Sequence, residues 1–503
     1  MHYRDKWREG HLRLLLSMTA LGVLILAFAV WQACLRLSQS FELDYGEGFV
    51  WSQINNLTAG QLYRDLAIYP HGIMHYTPAY HAVVAVVAAC GVDPLFAGRL
   101  VSLAAAMVLV GTCAVLAWRA MPTDAPTDSK AIAALTAAVV MLGMPVVIEW
   151  GTLMRVDMLA VAVSTLGLLA AQRGARDHRW LLLAVACFTL GLCTKQNSVA
   201  APAAACVTLL LARPAAGAAL VGGLAAAMAV VVGVGQWTTN GEFLRHVVIY
   251  NAAGIRPAIF LALWLPLMAK LLVPLLIAAA VGWRYRPSAT PSPSWRDGGS
   301  VWMARALSIN LALAVLLSLG IVKSGAGTGY ILPLLPPMAA LAGVGLARSS
   351  RLRMALFVGL SAELLIGLWT YPFPSASELA EHDRQDTELL GIVKAADGPV
   401  LSEDITLLMR AGRPLPWEFG STTELSRLGV IDESPFVARL ANGWFDTLVV
   451  RTWAPHRFTT AVRQAAQNRY RPVRVIGEFE VWRRKDSPAE FPPASCGETP
   501  CPG

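Results

Sequence analysis

Charge is what this sequence has least of. Asp, Glu, Lys and Arg make up 15% of its 503 residues, against about 25% in a soluble globular chain. Hydrophobic residues are 55%, so disorder, collagen and coiled coil are excluded and an integral membrane protein is expected. The eight cysteines form no CxxC pair and no Cys/His cluster, which removes a zinc site. No run of Lys and Arg with interleaved aromatics occurs, which removes nucleic acid as a partner. Repeats of fixed period are also missing, and with them the solenoids and propellers.

The charge that is present is unevenly placed. Residues 1–372 carry 26 Lys+Arg and 15 Asp+Glu, a balance of +11, while residues 373–503 carry 15 and 18, a balance of −3. A basic excess confined to the apolar part reports membrane topology. Six cysteines (Cys34, Cys90, Cys113, Cys187, Cys193 and Cys206) lie in apolar stretches and behave as small hydrophobes. Cys496 and Cys501 lie in a polar tail, where a local disulfide and two free thiols are both open.

Apolar segments fall at about 14–35, 98–118, 131–149, 157–171, 180–194, 198–212, 215–236, 259–282, 306–321, 329–347 and 354–371. The first follows Arg4, Lys6, Arg8 and Arg13 and lacks an A-x-A site, so it reads as a retained signal anchor with a cytoplasmic N-terminus. Residues 78–91 decide the topology. If they span, five basic loops face outward against the positive-inside rule; if they lie at the outer interface, all five are cytoplasmic. The second reading gives about 11 transmembrane helices, with a long first outer loop at 37–97 and residues 373–503 outside. Beyond Tyr371-Pro372-Phe373-Pro374 the composition turns polar, with an amphipathic helix at 376–396 and strands at Val400-Leu401, Thr447–Val450 and Val473–Val481. The expected fold is therefore an α-helical polytopic bundle (1–372), a small extracytoplasmic α/β domain (373–486) and a Pro-rich disordered tail (487–503).

Several polar motifs interrupt this apolar background. Asp44-Tyr45-Gly46-Glu47-Gly48 sets two carboxylates three residues apart just past the first span. A carboxylate at an apolar boundary suits general-base work, and the pair can also bind a divalent cation such as Mg or Mn. A plain helix cap at the membrane surface explains the same spacing. Gly60-Gln61-Leu62-Tyr63, Tyr69-Pro70-His71 and Tyr76-Thr77-Pro78-Ala79-Tyr80-His81 follow, a surface suited to a polar ring or an amphipathic ligand, or an interfacial aromatic belt. Arg99, Arg155, Lys195, Arg245, Arg256, Lys270 and Lys323 fall at or near the outer ends of apolar segments. Charge at membrane depth is costly and usually faces a cavity or a partner, although any one of these can snorkel to headgroups. Asp93 reads as a turn, His246 as a surface residue, and Ser402-Glu403-Asp404 as an acidic turn after a strand.

The order of these motifs resembles the GT-C superfamily of membrane glycosyltransferases. The match begins with an acidic motif after the first helix, then G-x-x-Y, then Y-x-P-x-Y opening an interfacial helix, then Gly98-Arg99-Leu100. The nearest kin are the family-39-like enzymes: lipid A aminoarabinose transferases, protein O-mannosyltransferases and rhizobial lipopolysaccharide core transferases. Arg155-Val156-Asp157, Thr194-Lys195-Gln196 and the Lys323–Tyr330 loop fit later family elements, and the resemblance covers about residues 12–370. Two departures stand out: a single proline in Tyr76–Tyr80, and Asp-x-x-Glu in place of adjacent Asp-Glu.

The resemblance implies a bacterial plasma-membrane enzyme. It would move a sugar, with inversion, from a polyprenyl-phosphate donor to a lipid, glycan or protein acceptor. It implies Asp44, Glu47 and Asp157 as catalytic residues, with Glu47 slightly preferred as base. Tyr63, Tyr76, Tyr80, Arg99, Arg155, Lys195, Arg256, Lys270, Lys323 and Tyr330 are implied to bind substrate and phosphate. A flippase of lipid-linked sugars would instead spread charge through the midplane and repeat its helix pattern. A non-catalytic envelope assembly protein would tolerate loss of the three carboxylates.

Overall fold

The computed structural model describes residues 2–66, 68, 72–251, 254–285, 299–451 and 457–488, with the first nine side chains left out. Tyr69-Pro70-His71, the 286–298 stretch, and the tail with Cys496 and Cys501 lie outside the described residues. The chain divides into two compact units. One comprises Met1–Ser38, Tyr76–Val247 and Gly254–Phe373, and the other Gln39–His75, Val248–Ala253 and Pro374–Gly503. The 39–75 stretch clusters with the C-terminal residues.

The first unit is helical and apolar, and the chain is a multi-pass membrane protein. Among the described residues six helices can cross a membrane by length and composition, or up to eight if each of two bent pairs counts as one span. Three more expected segments form helices of 18, 16 and 13 residues: Asp157–Gly174, Arg179–Thr194 and Ala200–Ala212. The last two fall short of the about 20 residues a straight span needs, and none of the three is among the counted spans. The helix at Ala79–Ala88 has 10 residues, too few to cross.

Both bent pairs have a local cause. Thr127–Leu142 stops at Gly143, and Pro145 starts Pro145–Gly151 at a 65° bend. Proline is tolerated in a first turn because that N–H has no helical partner. The second break falls at Lys270 and Leu271, where Phe260–Ala269 and Leu272–Arg284 meet at 73°. There Glu363 Oε2 accepts from the freed N–H of Val273 at 2.8 Å, which gives that membrane carboxyl a structural task. Asp93 does the same at an end, capping Pro94–Ala120 through Leu95 and Phe96 N–H. The core between helices combines Leu, Met and Val with many small residues such as Ala133, Ala137, Ala339 and Ala342, which let backbones approach closely where the hydrophobic effect does not drive helices together.

The second unit holds a four-stranded sheet in the order β1-β2-β4-β3. β1 (Val400–Ser402) runs parallel to β2 (Thr447–Val450), and β4 (Phe479–Arg484) pairs antiparallel with both β2 and β3 (Tyr470–Ile476). The single strand expected at Val473–Val481 is a hairpin, reversed at Gly477 with φ +57°. The amphipathic helix forms at Ala376–Ala395, opened by a capping box between Ser375 and Glu378. Trp417 stacks on Phe436 at 4.2 Å in the core beneath the sheet. In the same unit the outer-loop helix Tyr45–Thr58 packs on the short helix Ile405–Arg410.

Candidate active site

In the helical unit Arg155, Lys195 and Lys323, three of the charged residues singled out from sequence, gather around Asp157. Asp157 opens the helix Asp157–Gly174 and is buried, and it accepts a short hydrogen bond from Lys195 Nζ. Lys195 caps the end of Arg179–Thr194, so two helix termini deliver the pair. Lys195 Nζ also lies 5.0 Å from the centre of the Tyr330 ring. Lys323 feels the charge of Lys195: burial first, then that neighbouring cation, lowers its pKa to about 8.

The surroundings hold this group tightly. The Arg155 guanidinium sits 5.0 Å from the Trp150 ring centre, and Trp150 Nε1 donates to Thr328 Oγ1 at 2.9 Å. A Cβ at Gly329 would lie 2.6 Å from Asp157 Oδ1 and 2.8 Å from the Trp150 ring, so only glycine lets the Thr328–Leu334 turn close over the acid. Arg256 joins through backbone: its N–H donates to Val322 O at 2.8 Å, while Ser324 N–H donates to Gly254 O at 2.8 Å. Arg155, Asp157, Lys195, Lys323 and Tyr330 are thus one neighbourhood, with exposed Arg256 strung beside it.

The other expected ligands of this unit have internal contacts. Tyr80 is fully buried, its hydroxyl donating to Gly98 O at 2.8 Å and lying 3.1 Å from Ser102 Oγ. Ser102 Oγ in turn donates to Arg155 O at 3.2 Å, so Tyr80 supports the Arg155 backbone from beneath. Arg99 is fully buried and donates from Nη1 to Arg36 O. Thr77 Oγ1 ties the Tyr76 segment to Leu192 O at 2.9 Å, and the Tyr76 ring stacks on His81 at 6.5 Å. Lys270 is exposed at the helix break, on the wall of an apolar groove shared with Glu363 and Tyr371. His246, expected at the surface, is buried instead, because the π-helical turn Arg245–Ile249 carries it inward.

The acidic motif lies in the second unit and has a different character. Asp44 is the N-cap of Tyr45–Thr58, accepting from Gly46 N–H at 3.0 Å, and it stays half-exposed. Glu47 is fully buried, and its Oε2 accepts from Leu43 N–H at 2.7 Å. Each carboxylate therefore has a capping partner, and the two differ in exposure. Sequence reasoning missed a third: Glu42, buried near Asp404, Asp44 and Glu47, with its pKa raised well above the ordinary value by burial and then by Asp404. A Cβ at Gly48 would lie 2.7 Å from Ile405 Cβ and 2.9 Å from Thr406 N, so the motif's second glycine allows the helix to seat on residues 405–406. The acidic turn at 402–404 is part of this wall. Tyr63 is buried and adopts φ +56°, a region uncommon for a side-chain-bearing residue. Trp150 was also missed, as an aromatic within an apolar run carries no signal of its own.

The chain matches no family model and no curated protein. It is similar in fold to ArnT from Cupriavidus metallidurans in the apo state, with TM-score 0.59, 16% identity, and 93% of this chain and 98% of that one covered. The same protein bound to undecaprenyl phosphate gives TM-score 0.60 and 16% identity over 92% and 98%. At this identity the likeness is one of fold.

Proposed function

We propose that this protein is a glycosyltransferase of a bacterial plasma membrane that uses a polyprenyl-phosphate sugar. The observation that carries the reading is the cation group around Asp157. Two lysines, one of them with a depressed pKa, and an arginine held on Trp150 gather at the ends of apolar helices. A bundle seldom collects like charges unless an anion is to be held there. The fold is shared with a protein whose structure contains undecaprenyl phosphate, which supports a lipid phosphate as that anion.

In the proposed reaction Lys195, Lys323 and Arg155 bind the donor phosphate and stabilise the charge it gains on leaving. Asp44 takes the proton of an acceptor hydroxyl as that oxygen attacks the anomeric carbon. The new C–O bond forms, the bond to the phosphate oxygen breaks, and the configuration inverts. The base role moves from Glu47 to Asp44 because Glu47 is fully buried, whereas Asp44 keeps exposed surface. Among the described residues no group of three or more His, Cys, Asp or Glu side chains could hold a metal ion, so no step is assigned to Mg or Mn. The acceptor is a lipid, a glycan or a protein. By the positive-inside rule the basic loops between spans support an N-terminus in the cytoplasm and residues 373–503 outside.

Membranes containing the full chain, supplied with radiolabelled undecaprenyl-phosphate-linked aminoarabinose, mannose or glucose, test the proposal. One donor should pass its sugar to an acceptor fraction with the wild-type protein and fail with Asp44→Asn. Transfer that survives Asp44→Asn removes the base assignment. No transfer from any donor would favour lipid transport without chemistry.

A further inference from the structure

Asp44 caps the helix that Tyr45 begins, and Tyr45 is held by residues more than 370 positions later. Its hydroxyl donates to Glu418 Oε1 at 2.6 Å and accepts from Phe419 N–H at 3.2 Å. Glu418 is buried and takes two further backbone bonds, from Gly420 N–H at 2.9 Å and Ser421 N–H at 2.7 Å. Four charge-assisted contacts, counting a longer one from Thr422 N–H at 3.4 Å, fix that carboxylate in one orientation. The guanidinium of Arg457 lies 4.0 Å from the Tyr45 ring centre, and its Nε is 3.8 Å from Glu403 Oε1. The ring is therefore clamped on its face by a cation and at its tip by an anion. Burial and then Glu418 push the Tyr45 hydroxyl well above its ordinary pKa, which keeps it a donor at all physiological pH.

None of these residues is a reacting group, yet each fixes the first turn of the helix that Asp44 caps. We infer that Glu418, with Arg457, is a positioning residue for the Asp44 carboxylate, acting through the Tyr45 ring and hydroxyl. The inference rests on Asp44 being the base. It gives the C-terminal residues a part in the chemistry. Glu418 is invisible as such in sequence, where it sits in a Trp-Glu-Phe-Gly stretch without a motif.

The test uses the full-length protein in membranes, with whichever labelled undecaprenyl-phosphate sugar the wild type turns over. Tyr45→Phe keeps the ring under Arg457 and loses only the hydroxyl; Glu418→Gln keeps the shape and loses the charge. Each should lower kcat about 10- to 100-fold, the cost of a misplaced reacting group, with the donor KM changed less than about twofold. The double variant should be no worse than the poorer single one, because both act through one hydrogen bond. If Glu418→Gln does not accumulate, Tyr45→Phe carries the same kcat-against-KM test alone. Wild-type kcat in Tyr45→Phe, or losses that simply multiply in the double variant, would overturn the inference. If Asp44→Asn itself keeps transferring sugar, the base assignment fails first and the positioning role falls with it. Those two failures are told apart by the Asp44→Asn control.

Discussion

The two acid-bearing regions of this protein are built in opposite ways. Around Asp157, one buried carboxylate meets Lys195, and Lys323 lies close enough for its pKa to respond to that lysine. Around Asp44, carboxylates gather instead: Glu42, Glu47 and Asp404 are all buried, and burial raises Glu42 and Asp404. The proposed reaction would hold its anion where cations outnumber acids and release the acceptor proton where acids outnumber cations. The account divides the reaction accordingly, with the leaving phosphate assigned to the helical unit and the acceptor proton to the unit containing residues 39–75 and 374–503.

The largest expected effect would come from breaking the acid side. Asp44→Asn should lower sugar transfer by about 10²- to 10⁴-fold, the range of a lost general base, while Glu47→Gln should act mainly on stability, read as a drop in Tm. Equal losses of transfer at similar Tm would restore Glu47 to the chemistry. Next comes the cation side. Lys195→Met or Lys323→Met should each weaken undecaprenyl phosphate binding by roughly 10- to 100-fold, as expected for a charge-assisted contact. This can be followed by tryptophan fluorescence on the detergent-solubilised chain.

Lys323 sharpens the comparison through pH. Its pKa is lowered to about 8 by burial and by Lys195, so the cation is present below that pH and lost above it. Binding of undecaprenyl phosphate should fall as pH rises through about 8, and Lys195→Met should move that fall upward by removing the like charge. The acid side titrates in the same direction for a different reason. Burial and then Asp404 raise Asp386 to about 8. Its proton is bound in the folded protein at pH values where the unfolded chain has already released it. That stabilisation is complete below the unfolded pKa of about 4 and lost as pH rises through about 8. Tm should decline from pH 5 to 8.5, and Asp386→Asn should flatten the decline.

Packing changes are smaller. Gly48→Ala should cost about 1–3 kcal/mol, the usual range for overpacking, because the added carbon meets Thr406 N at 2.9 Å. Denaturant melts of the purified chain read this directly. A smaller loss would mean that residues 405–406 yield, and that the motif helix is less firmly seated than its contacts suggest.

Much of the bundle was legible because apolar length and flanking charge are local properties. Each of the eleven expected segments contains helix, and Ala376–Ala395 matches its expected bounds within a residue. The breaks at Gly143 and Lys270 were not legible, since hydropathy runs smoothly across them and only the bends reveal them. Asp157 and Lys195 stood out because charge at an apolar boundary is expensive, and the two side chains meet in the structure. Tyr80 and Arg99 stood out equally but turned inward to hold backbone. Glu42 and Glu418 stayed hidden because their roles come from contacts hundreds of residues apart, such as Glu42 N–H to Thr406 Oγ1 at 3.4 Å. The division of residues 37–97 between two units was hidden for the same reason.

The most direct test of that division measures binding and turnover together on one set of variants. Undecaprenyl phosphate affinity and sugar transfer would be determined for wild type, Asp44→Asn and Lys323→Met. The account predicts that Asp44→Asn binds the lipid phosphate as wild type does and transfers almost nothing, while Lys323→Met loses affinity. Loss of binding in Asp44→Asn, or full affinity in Lys323→Met, would contradict it.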